Sequence, residues 1–173
     1  ASKGEGLGNQ FLSNIRLTDA ICHVVRCFDD ADITHVEGSV DPIRDIEIIN
    51  LELIMADLQT IENRLSKVER KAVTNKDKDA LAEVVVLKKE ALEAGKPARS
   101  VELDKDELLL IKAFSLLTIK PMIYIANMSD EESVDPDANP YFQKVKELAE
   151  LEHNEVVPVC AKIEEELSEL DKE

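Results

Sequence analysis

The apolar positions fall into three compact runs and two long periodic ones. Residues 20–28 (AICHVVRCF), 121–127 (PMIYIAN) and 156–160 (VVPVC) are short and rich in β-branched residues, the pattern of buried strands. Between the second and third, residues 139–152 read as a helix that starts at Asn139-Pro140. Strand, helix and strand at this spacing predict a βαβ unit and a parallel sheet. From Leu51 the periodicity changes: Leu51, Ile54, Leu58, Ile61, Leu65, Val68 and Ala72 alternate spacings of three and four, a heptad seam. The polar stretch 74–79 (TNKDKD) interrupts it. A second seam follows at Ala80, Val84, Leu87, Ala91 and Ala94, and Gly95-Lys96-Pro97 closes it. Two helices with a short polar link are expected to fold back as an antiparallel hairpin. A third helix, over 104–117, returns the chain to the strand at 121. Residues 1–8, with Gly4, Gly6 and Gly8, read as a loop, and 9–17 as a helix.

Composition narrows the function. The chain has 173 residues, 44% apolar and 34% charged, too apolar for a disordered segment. Aromatics are 3% and Trp is absent, so an aromatic platform for single-stranded nucleic acid is not expected. The net charge of −16 excludes a general polyanion-binding surface, and DNA with it. Residues 61–99 are the exception: ten Lys/Arg face seven Asp/Glu there. That local excess reads either as a solvated hairpin or as a contact surface for an acidic partner or an RNA backbone. The apolar runs are all under ten residues, so no membrane span is expected. Three cysteines without a CxxC pair, in a chain that opens without a signal-peptide pattern, read as reduced thiols in a cytoplasmic protein.

Motifs with chemistry are few. Gly4-Glu5-Gly6-Leu7-Gly8 has the spacing GxGxG rather than GxGxxG and follows no strand, which speaks against a dinucleotide loop. No GxxxxGK[ST] phosphate loop occurs, so no catalytic residue and no metal ligand is assigned, and these 173 residues alone are expected to hydrolyse no nucleotide. His23, His35 and His153 lack ligand spacing; His23 reads as a satisfied core residue, His153 as a helix end. Cys22 and Cys27 read as core thiols. Asn127-Met128-Ser129-Asp130 follows a strand, where open α/β sheets bind ligands. An Asn with a carboxylate three residues on is how Ras-like GTPases hold a guanine base; it is also a common turn. Cys160-Ala161-Lys162 follows the next strand, where such proteins place a second base-side loop.

The residues that carry a resemblance run through the chain. ASKGEGLGNQFL at 1–12 and DADITHVEGSVDPIRDIEIINLEL at 30–53 are followed by KPMIYIAN at 120–127, NPYFQKVKELA at 139–149 and VVPVCAKIEEEL at 156–167. Together they resemble the YchF family of Obg-like P-loop ATPases. The resemblance implies part of a Ras-like, doubly wound α/β nucleotide domain, interrupted by an antiparallel coiled-coil arm. The family's phosphate loop and its TGS domain would lie outside these residues. It divides the chain into a second-switch region with a central strand (1–40), the arm (41–118) and a base-recognition half (119–173).

The family is cytosolic, is linked to the ribosome, to translation and to stress responses, and prefers Mg-ATP to GTP. On that alignment Asn127 contacts the base edge, Met128 lies against adenine, and Cys160 and Ala161 present backbone groups. Gly4, Gly6, Gly8 and Asn9 belong to the switch. One residue departs from the family: Asp130 stands where Glu is usual, which is the guanine-type arrangement. Preference for ATP then requires that this carboxylate point away from adenine N1, an acceptor. The alternative to a nucleotide switch is a nucleotide-independent interaction module acting through Lys67, Arg70, Lys71, Lys88 and Lys89 on the arm.

Overall fold

A computed structural model describes residues 6–30, 38–75, 78–92 and 95–170. Gly4, His35 and Ala94, and the side chains of Asn9, Lys89 and Ala91, lie outside the described residues. The chain divides into two compact units, residues 1–19 with 49–120, and residues 20–48 with 121–173.

The second unit holds the sheet. Strands β1 (Ile21–Arg26), β2 (Met122–Asn127) and β3 (Glu155–Val159) run parallel in the order β1-β2-β3. Helix α5 (Pro140–Glu152) connects β2 to β3, which completes the expected βαβ unit. Helix α6 (Ala161–Leu170) follows β3. Side chains alternate across the sheet, as strand geometry requires. Val25, Met122, Tyr124 and Ala126 are buried together with Phe142, Val145 and Ala149 of α5. On the opposite face Val24 is 64% exposed and Cys22 is exposed, while their partners Ile123 and Ile125 are half-buried. The expectation of a fully buried first strand, and of Cys22 as a core thiol, is therefore corrected. Among the described residues β1 has a single neighbouring strand, and a strand covered on one face buries every second residue only; Cys22 falls on the other face. Cys27 is buried as expected, and burial, with Glu132 nearby, raises its thiol pKa to about 12.

Local signals explain the ends of α5. The Asn139 carboxamide oxygen accepts from the N–H groups of Tyr141 and Phe142 at 2.8 and 3.0 Å, and Pro140 occupies the first helical position. His153 ends the helix in the left-handed conformation at φ 56°, with its N–H on the carbonyls of Ala149 and Glu150.

His23 corrects a second expectation. Its ring lies 6.0 Å from that of Tyr124, and its buried Nδ1 has no hydrogen-bond partner among the described residues. Burial lowers its pKa below the ordinary value, against a smaller opposing pull from Asp45. The neutral ring is therefore favoured in the fold. As pH falls below the unfolded value of about 6.5, the unfolded chain takes up the proton first, and stability declines until the folded pKa is passed. We predict that the unfolding midpoint falls between pH 7 and 5, and that His23→Leu flattens the slope. A variant with the wild-type slope would contradict this.

The first unit is helical. Helix α1 (Gly6–Arg16) begins earlier than expected, taking in Gly6 and Gly8. Glycine costs about 1 kcal/mol per helical residue relative to Ala, too little to stop a helix already nucleated by the residues that follow. Helix α2 (Pro42–Asn75) belongs to this unit from Ile49 onward. Helix α3 (Lys78–Leu92) packs against it: Val68 clusters with Ala80 and Val84, and Ile61 with Val86 and Leu87. The seam holds at Ile61 and Val68. Over residues 51–58 the buried positions are Leu53, Ala56 and Asp57, while Leu51 is 55% exposed.

The cause is Asp57. Its carboxylate accepts from the N–H of Leu117 (2.7 Å), the N–H of Thr118 (2.8 Å) and the Thr118 hydroxyl (2.6 Å). Arg16 Nη1 lies 3.9 Å away. Those bonds also explain why helix α4 (Lys105–Lys112) stops short of the expected residue 117. Ser115 turns at φ 51°, and the amides that would have continued the helix go to Asp57 instead, with Leu116 and Leu117 fully buried. The start of α4 is the expected one. Asp104 and Glu107 form a reciprocal capping box.

Candidate nucleotide-base site

All three strands end at one edge of the second unit, and their carboxyl ends border a cleft of about 470 Å³. Phe28, Asp29 and Asp30 come from the end of β1, Asn127 to Glu131 from the end of β2, and Lys162 from the first turn of α6. The register aligns Arg26, Asn127 and Val159 across the sheet, so the three loops leave it side by side. A parallel sheet places binding groups here because the strand carboxyl ends and the helix amino ends meet at this edge.

Each loop is fastened. Arg26 donates to the carbonyl of Phe28 at 3.0 Å and lies 4.8 Å over the Phe28 ring. Asn139 Nδ2 donates to the carbonyl of Cys27 at 2.8 Å, joining the α5 cap to the β1 loop. Tyr141 Oη donates to Asp29 at 2.8 Å, and that bond raises the phenol pKa. In the β2 loop, Ser129 Oγ donates to Glu132 and Ser133 Oγ to the carbonyl of Asp130. Met128 N–H bonds to the carbonyl of Val159 at 2.8 Å.

The two base-side loops expected from the sequence are joined directly. Asn127 Oδ1 accepts from the N–H of Ala161 at 3.0 Å. Asn127 thus buttresses the loops through its oxygen, while its Nδ2 has no hydrogen-bond partner among the described residues. The Ala161 donor is consumed in that bond, and the Cys160 carbonyl accepts from the N–H of Glu164. Met128 borders the cleft, yet is only 2% exposed. Asp130 has both carboxylate oxygens engaged, Oδ2 by Lys162 Nζ at 2.7 Å and Oδ1 by Cys160 Sγ at 3.3 Å. Lys162 first and Cys160 second hold the Asp130 pKa below the ordinary carboxylate value, and Asp130 raises that of Lys162.

Asn127, Met128, Asp130, Cys160 and Ala161 are therefore brought together in one unit. Gly6, Gly8 and Asn9 lie in the first turns of α1, in the other unit. Lys67, Arg70 and Lys71 are exposed on α2, and Lys88, on α3, pairs with Glu69 at 2.9 Å. Sequence reasoning placed Lys162 in the second base-side loop without a role for its side chain, and gave no site role to the β1 loop. The position of 28–30 after a strand that pairs with β2 was the available signal.

The chain is 56% identical, over its full length, to the ribosome-binding ATPase YchF of Bacillus subtilis (strain 168) and 50% identical to that of Escherichia coli O157:H7. Over its whole length the chain matches YchF proteins, as a piece of one would. It spans about half the length of the curated relatives it matches, 48% of the Bacillus protein and 47% of the Escherichia one. Among solved structures, the YchF GTPase of Schizosaccharomyces pombe superimposes with a TM-score of 0.83 at 35% identity, covering 98% of this chain and 47% of that one. No family model matches the chain. The parallel sheet and long helix are thus those of a YchF, Ras-like α/β fold. Among the described residues no group of three His, Cys, Asp or Glu is placed to hold a metal ion, and no helix is long and apolar enough to cross a membrane.

Proposed function

We propose that this chain forms the base-recognition side of a P-loop NTPase that hydrolyses ATP in preference to GTP and works as a nucleotide-controlled switch on the ribosome, in translation or stress response. The observation that carries the reading is the junction of two strand-end loops through Asn127 and Ala161 at the edge of the cleft. A purine base is flat and carries polar groups on its rim. It suits a slot with walls held by backbone and with a few fixed polar atoms, here Asn127 Nδ2 and the groups around Asp130. Engagement of both Asp130 oxygens supports the ATP preference, because a carboxylate turned toward Lys162 and Cys160 is not offered to guanine.

Magnesium would accompany the ATP. The described residues supply no ligand cluster for it. Because the 173 residues contain no GxxxxGK[ST], they are expected to bind nucleotide weakly and turn over none by themselves. Titration of the intact protein with Mg-ATP and Mg-GTP tests the reading. Tighter ATP binding supports it, and equal or tighter GTP binding contradicts the stated preference.

The first unit suits the partner role. Lys67, Arg70 and Lys71 project from α2 into solvent, and exposed cations in a row fit an RNA backbone. We predict that reversing Lys67, Arg70, Lys71, Lys88 and Lys89 to Glu lowers ribosome co-sedimentation at least tenfold and leaves the ATP affinity of the intact protein unchanged. Unchanged co-sedimentation would rule the surface out.

A further inference from the structure

We propose that Lys162 is a specificity-determining residue of this site, acting as a latch on Asp130 that disfavours guanine. The inference rests on the reading of the cleft as a purine-base site.

Guanine presents two adjacent donors, N1–H and the N2 amine, and a carboxylate recognises it by accepting both. Adenine presents an acceptor at N1 beside the N6 amine, so a free carboxylate there repels it. The residue at position 130 is an aspartate, with the spacing to Asn127 that suits guanine. Its two oxygens are nonetheless taken. Lys162 Nζ holds Oδ2 at 2.7 Å and Cys160 Sγ holds Oδ1 at 3.3 Å, both from the α6 side of the cleft. For guanine to be read, these bonds must break. For adenine they need not, and the lysine charge also neutralises the carboxylate that would face N1.

Of the two partners, Lys162 matters more. It is charged, it makes the shorter bond, and it is the first cause of the lowered Asp130 pKa. Its side chain is 66% exposed and that of Asp130 45%, so the pair is a weak one that nucleotide can displace. Exposed pairs of this kind are worth up to about fivefold in an equilibrium constant. The latch therefore tunes the preference rather than creating all of it.

The test uses the intact protein and four variants: Lys162→Met, which keeps the stem and removes the charge, Asp130→Ala, the double variant, and Asn127→Ala. Affinities for Mg-ATP and Mg-GTP are measured for each, and the readout is their ratio, in which any general loss of phosphate attraction cancels. We expect Lys162→Met to shift the ratio toward GTP by about three- to fivefold, and to shift it by nothing when Asp130 is already Ala. If Lys162→Met leaves the ratio unchanged while Asn127→Ala weakens both nucleotides, the latch is overturned and the cleft stands. If neither variant alters either affinity, the base does not bind here, and both readings fall.

Discussion

Asp57→Ala is expected to destabilise the helical unit by about 2–4 kcal/mol, read as a lower guanidinium midpoint in unfolding followed by circular dichroism. Asp57 is 3% exposed, and its carboxylate is the acceptor for three donors on Leu117 and Thr118. Alanine leaves two buried backbone N–H groups and a hydroxyl without a partner, and each orphaned donor costs about 1–3 kcal/mol. Part of that loss is offset, because burial already raises the pKa of this carboxyl despite its hydrogen bonds and the nearby Arg16. Removing Asp57 relieves that desolvation, so the full sum of the three bonds is not reached. Asp57→Asn separates charge from geometry. Its oxygen can serve one amide, but its NH₂ then meets another N–H, donor against donor. It should therefore destabilise too, by less than alanine. A wild-type midpoint in both variants would mean that the 114–120 segment is held by its leucines alone.

Asn127→Ala is expected to weaken ATP binding by the intact protein about tenfold or more. Two losses combine. The bond from Ala161 N–H to Asn127 Oδ1 at 3.0 Å disappears, freeing the β2 loop from the start of α6. The Nδ2 donor proposed for the base also disappears. At about 1 kcal/mol for each hydrogen bond the total is near 2 kcal/mol, up to roughly a thirtyfold change. Asn127→Asp distinguishes the two contributions. Aspartate still accepts from Ala161 and keeps the loops together, but offers the base no donor. If its affinity matches wild type, Asn127 is a buttress only. If it matches alanine, the donor to the base is what matters.

The sheet and the base-side loops were legible because their signals are local. Three short β-branched runs, the Asn139-Pro140 start and the His153 end each determine structure within a few residues. Asn127 and Asp130 could be placed because a strand ends at the first of them. The failures came where distant residues intervene. The heptad seam does not hold at Leu51, because Asp57 turns another face of α2 inward to meet amides sixty residues away. The same bonds end α4 early, and no periodicity announces them. Cys22 and Val24 look like core residues in a run of apolar neighbours, but burial on one face or two depends on what covers the sheet, which the run does not encode. At the site, the Lys162–Asp130 pair joins residues from different loops, so each was visible only as half of a turn.

The cleft at the strand ends is proposed to hold a purine base. Photolabelling of the intact protein with 8-azido-ATP, followed by peptide mapping, tests it most directly. Label is expected on peptides containing residues 127–131 or 160–162, and excess Mg-ATP is expected to abolish it. Label confined to peptides from residues 49–120, or label in the cleft peptides that ATP does not displace, would contradict it.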